Sequence, residues 1–194
     1  ILSERRIREL LKFSFSQVDD LDSYTENLRP ASVLVPIFFA RGEWNLLLTR
    51  RTEKVNDHKG QVAFPGGAYE PEDISAEFTA LREAQEEIGL QMEDVVILGH
   101  LPAQITISRY LISPFVGRIP EHYPFILSRD EVDRVFSIPF SWLMAPDHSE
   151  EKMYSSRDGK SYPVDFFQEY DGEILWGITA KITKILLKKL QLLK

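Results

Sequence analysis

Cysteine is absent from all 194 residues. That excludes disulfides, thiolate metal sites and a cysteine nucleophile, and it is compatible with a reducing, cytoplasmic location. Long apolar runs are absent too. No stretch reaches the roughly 18–20 residues of a membrane span, and residues 1–11 are charged rather than leader-like. Histidine is scarce: His58, His100, His122 and His148 lie far apart, without ligand spacing. An excess of positive charge is also missing. Lys+Arg number 23 against 30 Asp+Glu, a net charge of −7. This disfavours nucleic acid and anionic membranes, because phosphate attraction needs a positive surface. A small phosphorylated ligand stays open, since a few local cations or a metal ion can hold it. Repeats and low-complexity linkers are absent, and the length suits one domain over residues 1–194.

What is present is an interleaving of short apolar runs. Residues 3–13 carry Ile7, Leu10 and Leu11 at helical spacing, which predicts an N-terminal helix. "ASVLVPIFFA", residues 31–40, reads as a buried strand in which Pro36 marks an irregularity or an exposed edge. Arg41-Gly42-Glu43 is a turn, and "WNLLLTR", residues 44–50, completes a hairpin. Further strands are expected over 95–101, 111–119, 129–138 and 162–167. Helices are expected over 74–88, capped by Asp73 or Ser75 and ended by Gly89, and over 174–194. The mixture predicts an α/β domain with a mixed sheet.

The helix over 74–88 carries the chemistry. At about 100° per residue, Glu87 lies roughly 40° to one side of Glu83, and Glu86 roughly 60° to the other. Leu81, Ala84 and Ile88 fall on the opposite face. Three carboxylates so placed repel one another by a few tenths of a kcal/mol per pair. Only Arg82 offsets them locally, whereas a hard divalent cation would offset them fully. By itself E-x-x-E-E is common on solvated helices. The preceding Phe64-Pro65-Gly66-Gly67 changes that reading, because glycines let backbone approach a ligand or metal closely. A tight loop followed by a carboxylate helix is a candidate metal–diphosphate site, in which the cation bridges carboxylates and phosphates.

Gly67 followed by Arg82-Glu83-Ala84-Gln85-Glu86-Glu87-Ile88-Gly89-Leu90 resembles the Nudix box, whose core is R-E-U-x-E-E-x-G-U with U a bulky aliphatic residue. Two features depart. The usual Glu seven residues before the Arg falls on Ile74, with Asp73 one residue earlier as a stand-in, and the spacing from Gly to Arg is one residue longer. The upstream "LLTRRTEKVNDHKGQVAFPGG", residues 47–67, resembles the signature of the coenzyme A pyrophosphatase branch. Asn56 replaces its second Arg and Thr52 a small residue. The similarity continues through "YLISPFVG" at 110–117, Asp130-Glu131-Val132 and "WGITA" at 176–180.

The resemblance implies a Nudix-type α/β/α sandwich with its core over about 31–180. It implies Mg²⁺- or Mn²⁺-dependent hydrolysis of coenzyme A or a derivative to 3′,5′-ADP and 4′-phosphopantetheine. ADP-ribose or NADH hydrolysis, or a non-catalytic nucleotide-binding regulator, are the alternatives. Glu83, Glu86 and Glu87 become metal ligands, helped by a carbonyl near Gly66 or Ala68, and Arg82 their organiser. The general base is Glu131 or Glu87. Substrate contacts fall on Arg51, His58, Gly60, Phe64, Gly66 and Gly67, and the partner is a small molecule, with a homodimer compatible.

Overall fold

The computed structural model describes residues 2–12, 28–54, 59–155 and 161–193. Two left-handed residues, Arg41 (φ 52°) and Gly42 (φ 86°), make the two-residue loop of the first hairpin. Positive φ at both central positions matches the twist of the flanking strands. The hairpin joins β1 (Arg29–Ala40) to β2 (Glu43–Arg51), with Ala40 opposite Glu43. The chain continues through β3 (Val62–Ala63) and β4 (Gly66–Ala68), and then β5 (Val96–His100), β6 (Gln104–Ile105), β7 (Tyr110–Arg118) and β8 (Val132–Pro139). These eight strands form one sheet among the described residues. The β1–β7 pair is parallel and the other pairs are antiparallel, so the sheet is mixed as expected.

Pro36 does not mark an edge, because β1 runs through the middle of the sheet. On one side β1 pairs with β7 along 29–37. On the other it pairs with β4 up to Val33 and with β2 from Ile37. Leu34 donates its N–H to Pro65 O on that second side. By the two-residue alternation the nitrogen of Pro36 points the same way, into the gap between the two partners. A residue without an N–H leaves no donor unmet there.

Alternation along β1 also builds the layers. Val35 and Ile37 face one core with Ile7 and Leu11 of α1 (Glu4–Lys12) and with Ile182, Leu186, Leu187 and Leu190, which lie on or just after α4 (Gly177–Lys189). Leu34 faces the other core with Leu47, Val132 and the Ala80, Ala84 and Ile88 of α2 (Ala76–Ile88). The protein is therefore an α/β/α sandwich.

Two expectations need correction. Residues 174–176 are not helical. They belong to β11 (Glu173–Trp176); Gly177 (φ 66°) opens α4, which ends at Lys189 and does not continue through 190–193. The strand expected over 162–167 lies within β10 (Ser161–Tyr170), but its partners β9 (Ser149–Ser155) and β11 were not expected, and the three form a second sheet. Six of the seven residues of β9 are exposed, so its sequence lacks the apolar alternation that signals a strand. The short α3 (Phe140–Leu143) packs Phe140 and Leu143 into the first core.

Leu34 is fully covered under α2. Leu34→Ala is expected to lower unfolding free energy by about 2–5 kcal/mol in urea denaturation. Ile174→Ala, at a side chain 51% exposed, should stay within about 0.5 kcal/mol of the parent.

Candidate active site

The helix α2 begins where Ser75, in extended conformation, accepts a hydrogen bond from Phe78 N–H. It ends at Gly89 (φ 70°), whose N–H bonds the carbonyls of Ala84 and Gln85. Ser75 is thus the cap, which frees Asp73 for another task. Asp73 is buried and its carboxylate accepts from Glu70 N–H (2.9 Å), Thr79 Oγ1 (2.9 Å), and Arg82 Nε (2.8 Å) and Nη2 (3.1 Å). The guanidinium of Arg82, with these other hydrogen bonds, holds the Asp73 carboxyl well below its ordinary range despite its burial. Tyr69 Oη donates to Asp73 O and closes the loop.

Arg82 then distributes the carboxylates. Its Nη1 lies 3.0 Å from Glu83 Oε1 and 3.0 Å from Glu86 Oε2, and its Nη2 donates to Ala68 O at 3.2 Å. Glu83 and Glu86 therefore converge on one point. The Ala68 carbonyl, one of the two anticipated helpers for a metal, is taken by Arg82.

The three carboxylates do not all face outward. Glu86 is exposed, but Glu87 is only 2% exposed and the Glu83 side chain 15%. Helical periodicity separates the apolar face from the acidic one, and it cannot see that Gly66, Gly67 and Arg51 of the neighbouring strands come up against Glu83 and Glu87. Glu87 accepts from Gly66 N–H at 3.3 Å and pairs with Arg51 Nη1 at 3.4 Å. Glu83 lies against Gly67, where an added Cβ would come within 2.4 Å of its carboxylate. Gly66 is equally constrained, since a Cβ there would meet Ser32 O at 2.4 Å.

Burial pushes Glu87 up to about 8, with Arg51 and the Gly66 N–H pulling down and Glu83 and Glu131 adding to the rise. Burial also raises Glu83, opposed by Arg82 and reinforced by Glu86 and Glu131. Glu131 thus shares the field of the two inner carboxylates. It is exposed at the start of β8, and its carbonyl accepts from Thr52 N–H of the upstream segment.

Other expected positions divide. Phe64 is 4% exposed and belongs to the core on the α1/α4 side of the sheet, so it anchors the loop and does not face the cleft. Gly60 (φ 62°) donates to Thr52 O, and a side chain there would meet the Glu53 carboxylate. Its place is in the loop closure. His58 and Asn56 lie outside the described residues. Arg50 and Arg129, which the sequence reading did not assign to the site, also appear. A groove of about 400 Å³ beside Arg51 is lined by Arg50, Lys54 and Arg129 together with Glu53 and Asp133. Arg129 comes from the approach to β8, and only the β2–β8 pairing brings it there. Charge alone gave no signal for it.

The carboxylate line runs from Glu87 at Gly66, through Glu83 at Gly67, to Glu86 at Arg82. Among the described residues, no three acidic or histidine side chains are yet gathered tightly enough to be a closed ion cage. The donor set nevertheless fits a hard cation, being all carboxylate oxygen, with a side-chain-free wall at Gly67 and a buried, up-shifted Glu87 that a cation would relieve.

Residues 28–158 match the NUDIX domain family. The chain belongs to the Nudix family. An uncharacterized Nudix hydrolase NudL of Photorhabdus laumondii is 37% identical over 167 residues, which is 86% of this chain and 88% of that protein. The NudL of Yersinia pestis (strain Pestoides F), also uncharacterized, is 37% identical over 84% of this chain and 81% of its own. Among solved structures, a MutT/nudix family protein from Enterococcus faecalis superposes with a TM-score of 0.58 at 15% identity, over 98% of this chain and 75% of that one. A C. elegans Ap4A hydrolase binary complex gives 0.50 at 18% identity, over 57% and 80%. These structural likenesses show the Nudix fold. The protein is a Nudix hydrolase acting on pyrophosphate bonds, an enzyme class that works with divalent metal ions.

Asp73→Asn should release Arg82 and cost about 3 kcal/mol, the low end for breaking a buried ion pair because the pair lies just beneath the surface. Since the folded carboxyl titrates below the ordinary value of 3.8, its contribution is full above that pH and fades as pH falls through the folded value. Denaturant unfolding at pH 7 and pH 3 is expected to show a smaller acid loss in Asp73→Asn than in the parent.

Proposed function

We propose that this Nudix hydrolase cleaves the pyrophosphate of coenzyme A or a CoA derivative, giving 3′,5′-ADP and 4′-phosphopantetheine or its acyl form, with the whole chain acting as one domain. The observation that carries the reading is the way the segment resembling the CoA signature wraps the carboxylates. Arg51 pairs with Glu87, Gly66 N–H binds Glu87, and Gly67 makes room for Glu83. The neighbouring groove is lined by four cations, Arg50, Arg51, Lys54 and Arg129, with Glu53 and Asp133, and Arg50, Arg51 and Lys54 also pair with Glu173, Glu87 and Asp130. Among the described residues, Arg51 Nε is buried there without a hydrogen-bond acceptor. Such a groove suits a phosphate beyond the scissile pair. The 3′-phosphorylated nucleotide of CoA carries one, and ADP-ribose does not.

Glu83, Glu86 and Glu87 would hold Mg²⁺ or Mn²⁺, which supplies charge neutralisation on the pyrophosphate and a more acidic water. Arg82 orients Glu83 and Glu86 from behind, anchored by Asp73. Arg51 and the groove cations fix the nucleotide phosphates. Glu131, exposed and within the field of Glu83 and Glu87, takes the proton from the attacking water. Water oxygen bonds to one phosphorus as the bridging P–O bond breaks, and the leaving phosphate departs as an anion. If Glu87 is the base instead, Glu131→Gln will leave kcat close to that of the parent.

Incubation with CoA and Mg²⁺ or Mn²⁺ should release 3′,5′-ADP, resolved by ion-pair chromatography. Brisk cleavage of ADP-ribose or NADH with CoA untouched would transfer the assignment to those substrates. The metal site has a readout apart from turnover. Mn²⁺ should raise the melting temperature of the parent, and Glu86→Gln with Glu87→Gln should abolish the rise together with at least about 100-fold of kcat. An unchanged metal response in the double variant would overturn the ligand assignment.

A further inference from the structure

The cross-strand register places one exposed apolar row beside the carboxylates. Tyr69 donates its N–H to Pro30 O and so sits opposite Pro30, one residue beyond the Ala31–Ala68 pair. Pro30 pairs with Leu111 across β1 and β7, and Leu111 pairs with Ile105 across β7 and β6. Directly opposed residues share a face of a sheet, so Tyr69, Pro30, Leu111 and Ile105 form one line across four adjacent chain segments. Pro30 has the parity of Leu34, which packs under α2, so the line lies on the α2 face.

The row two residues along, Gly67–Ser32–Ser113, passes directly beneath the Glu83 carboxylate. The apolar line is therefore one strand step, roughly 7 Å, from the candidate catalytic carboxylates. It is open: Tyr69 is 43% and Ile105 44% exposed, Pro30 is exposed as well, and Leu111 between them is half-buried. The tether from Tyr69 Oη to Asp73 O stands the ring at the end next to α2. No charged side chain belongs to the line. The cations of the groove instead lie on β2, beside it and at the approach to β8, on the other flank of the carboxylates.

We propose that this strip binds an uncharged, extended aliphatic arm attached to the second phosphate of the substrate, while the basic groove takes the nucleotide. This rests on the pyrophosphatase reading above, but not on CoA itself. Dimensions favour a chain over a ring. Three strand spacings of about 4.8 Å make the strip about 14 Å long and only one side chain wide. A nucleobase would cover less than half of it, and an extended chain can lie along all of it. Its continuity with the carboxylate row fits a chain that starts at the scissile phosphate.

The test reads affinity and needs no turnover. Methylene-bridged, non-hydrolysable n-alkyl esters of ADP and of its 3′-phosphorylated form are titrated calorimetrically into the Mg²⁺-loaded protein, with arms of two to ten carbons. Kd should fall roughly twofold per methylene over the first several carbons, because a strip covering one side of the chain captures about half the burial of a methylene. Ile105→Ser and Leu111→Ser should flatten that slope. Ile174→Ser, in the second sheet, should keep it. Ile105 is exposed on a two-residue strand, so its variant is expected to fold, and melting temperatures check both. A Kd independent of arm length in the parent, or the parental slope in Ile105→Ser, would overturn the proposal. Failure of CoA turnover with the slope intact would overturn only the CoA assignment, and CoA turnover with no slope only the strip.

Discussion

The guanidinium of Arg82 connects the three parts on which the site depends. Two of its nitrogens grip Asp73 in the loop ahead of α2, one faces Glu83 and Glu86, and one also reaches the Ala68 carbonyl after the glycines. An arginine fork can do this because its donors are fixed in a plane, whereas a lysine would offer a single point charge. The anchoring also explains the one-residue shift in the Nudix box. Asp73, not position 74, supplies the acid that pairs with Arg82. Ile74 is left 84% exposed.

A second constraint is steric. Gly66 and Gly67 lie where any Cβ would strike Ser32 O or the Glu83 carboxylate. Because the backbone can come this close, Gly66 N–H reaches Glu87, and the loop seals Glu87 from water. Burial then raises its proton affinity, with Arg51 and that N–H in opposition. The same packing that hides the carboxylate thus makes it a place where a cation is welcome. The carboxylates have two unlike flanks, a cationic groove on the β2–β8 side and an apolar strip on the β1–β7 side.

Much of this was legible from local pattern. The hairpin at Arg41-Gly42, the strand before it and α2 follow from turn chemistry and periodicity, and Glu83, Glu86 and Glu87 from their shared helical face. The second sheet was not legible, because β9 is exposed and carries no alternation. The start of α4 was misplaced because β11 is as apolar as a helix turn, and Gly177 marks the boundary only through its positive φ. Phe64 read as a site residue from its motif, yet its side chain is held in the core.

The sequence by itself determined the carboxylate spacing, the glycines before it and the absence of thiol ligands, since these are properties of residue type and short-range geometry. Tertiary structure decided which carboxylate is buried, which acid anchors Arg82, and what lies on either flank. Those depend on contacts between segments far apart in the chain: Arg51 with Glu87, Arg129 beside Arg50, and Tyr69 in line with Ile105. Burial and register arise only when strands pair, and no local pattern encodes which strands will be neighbours.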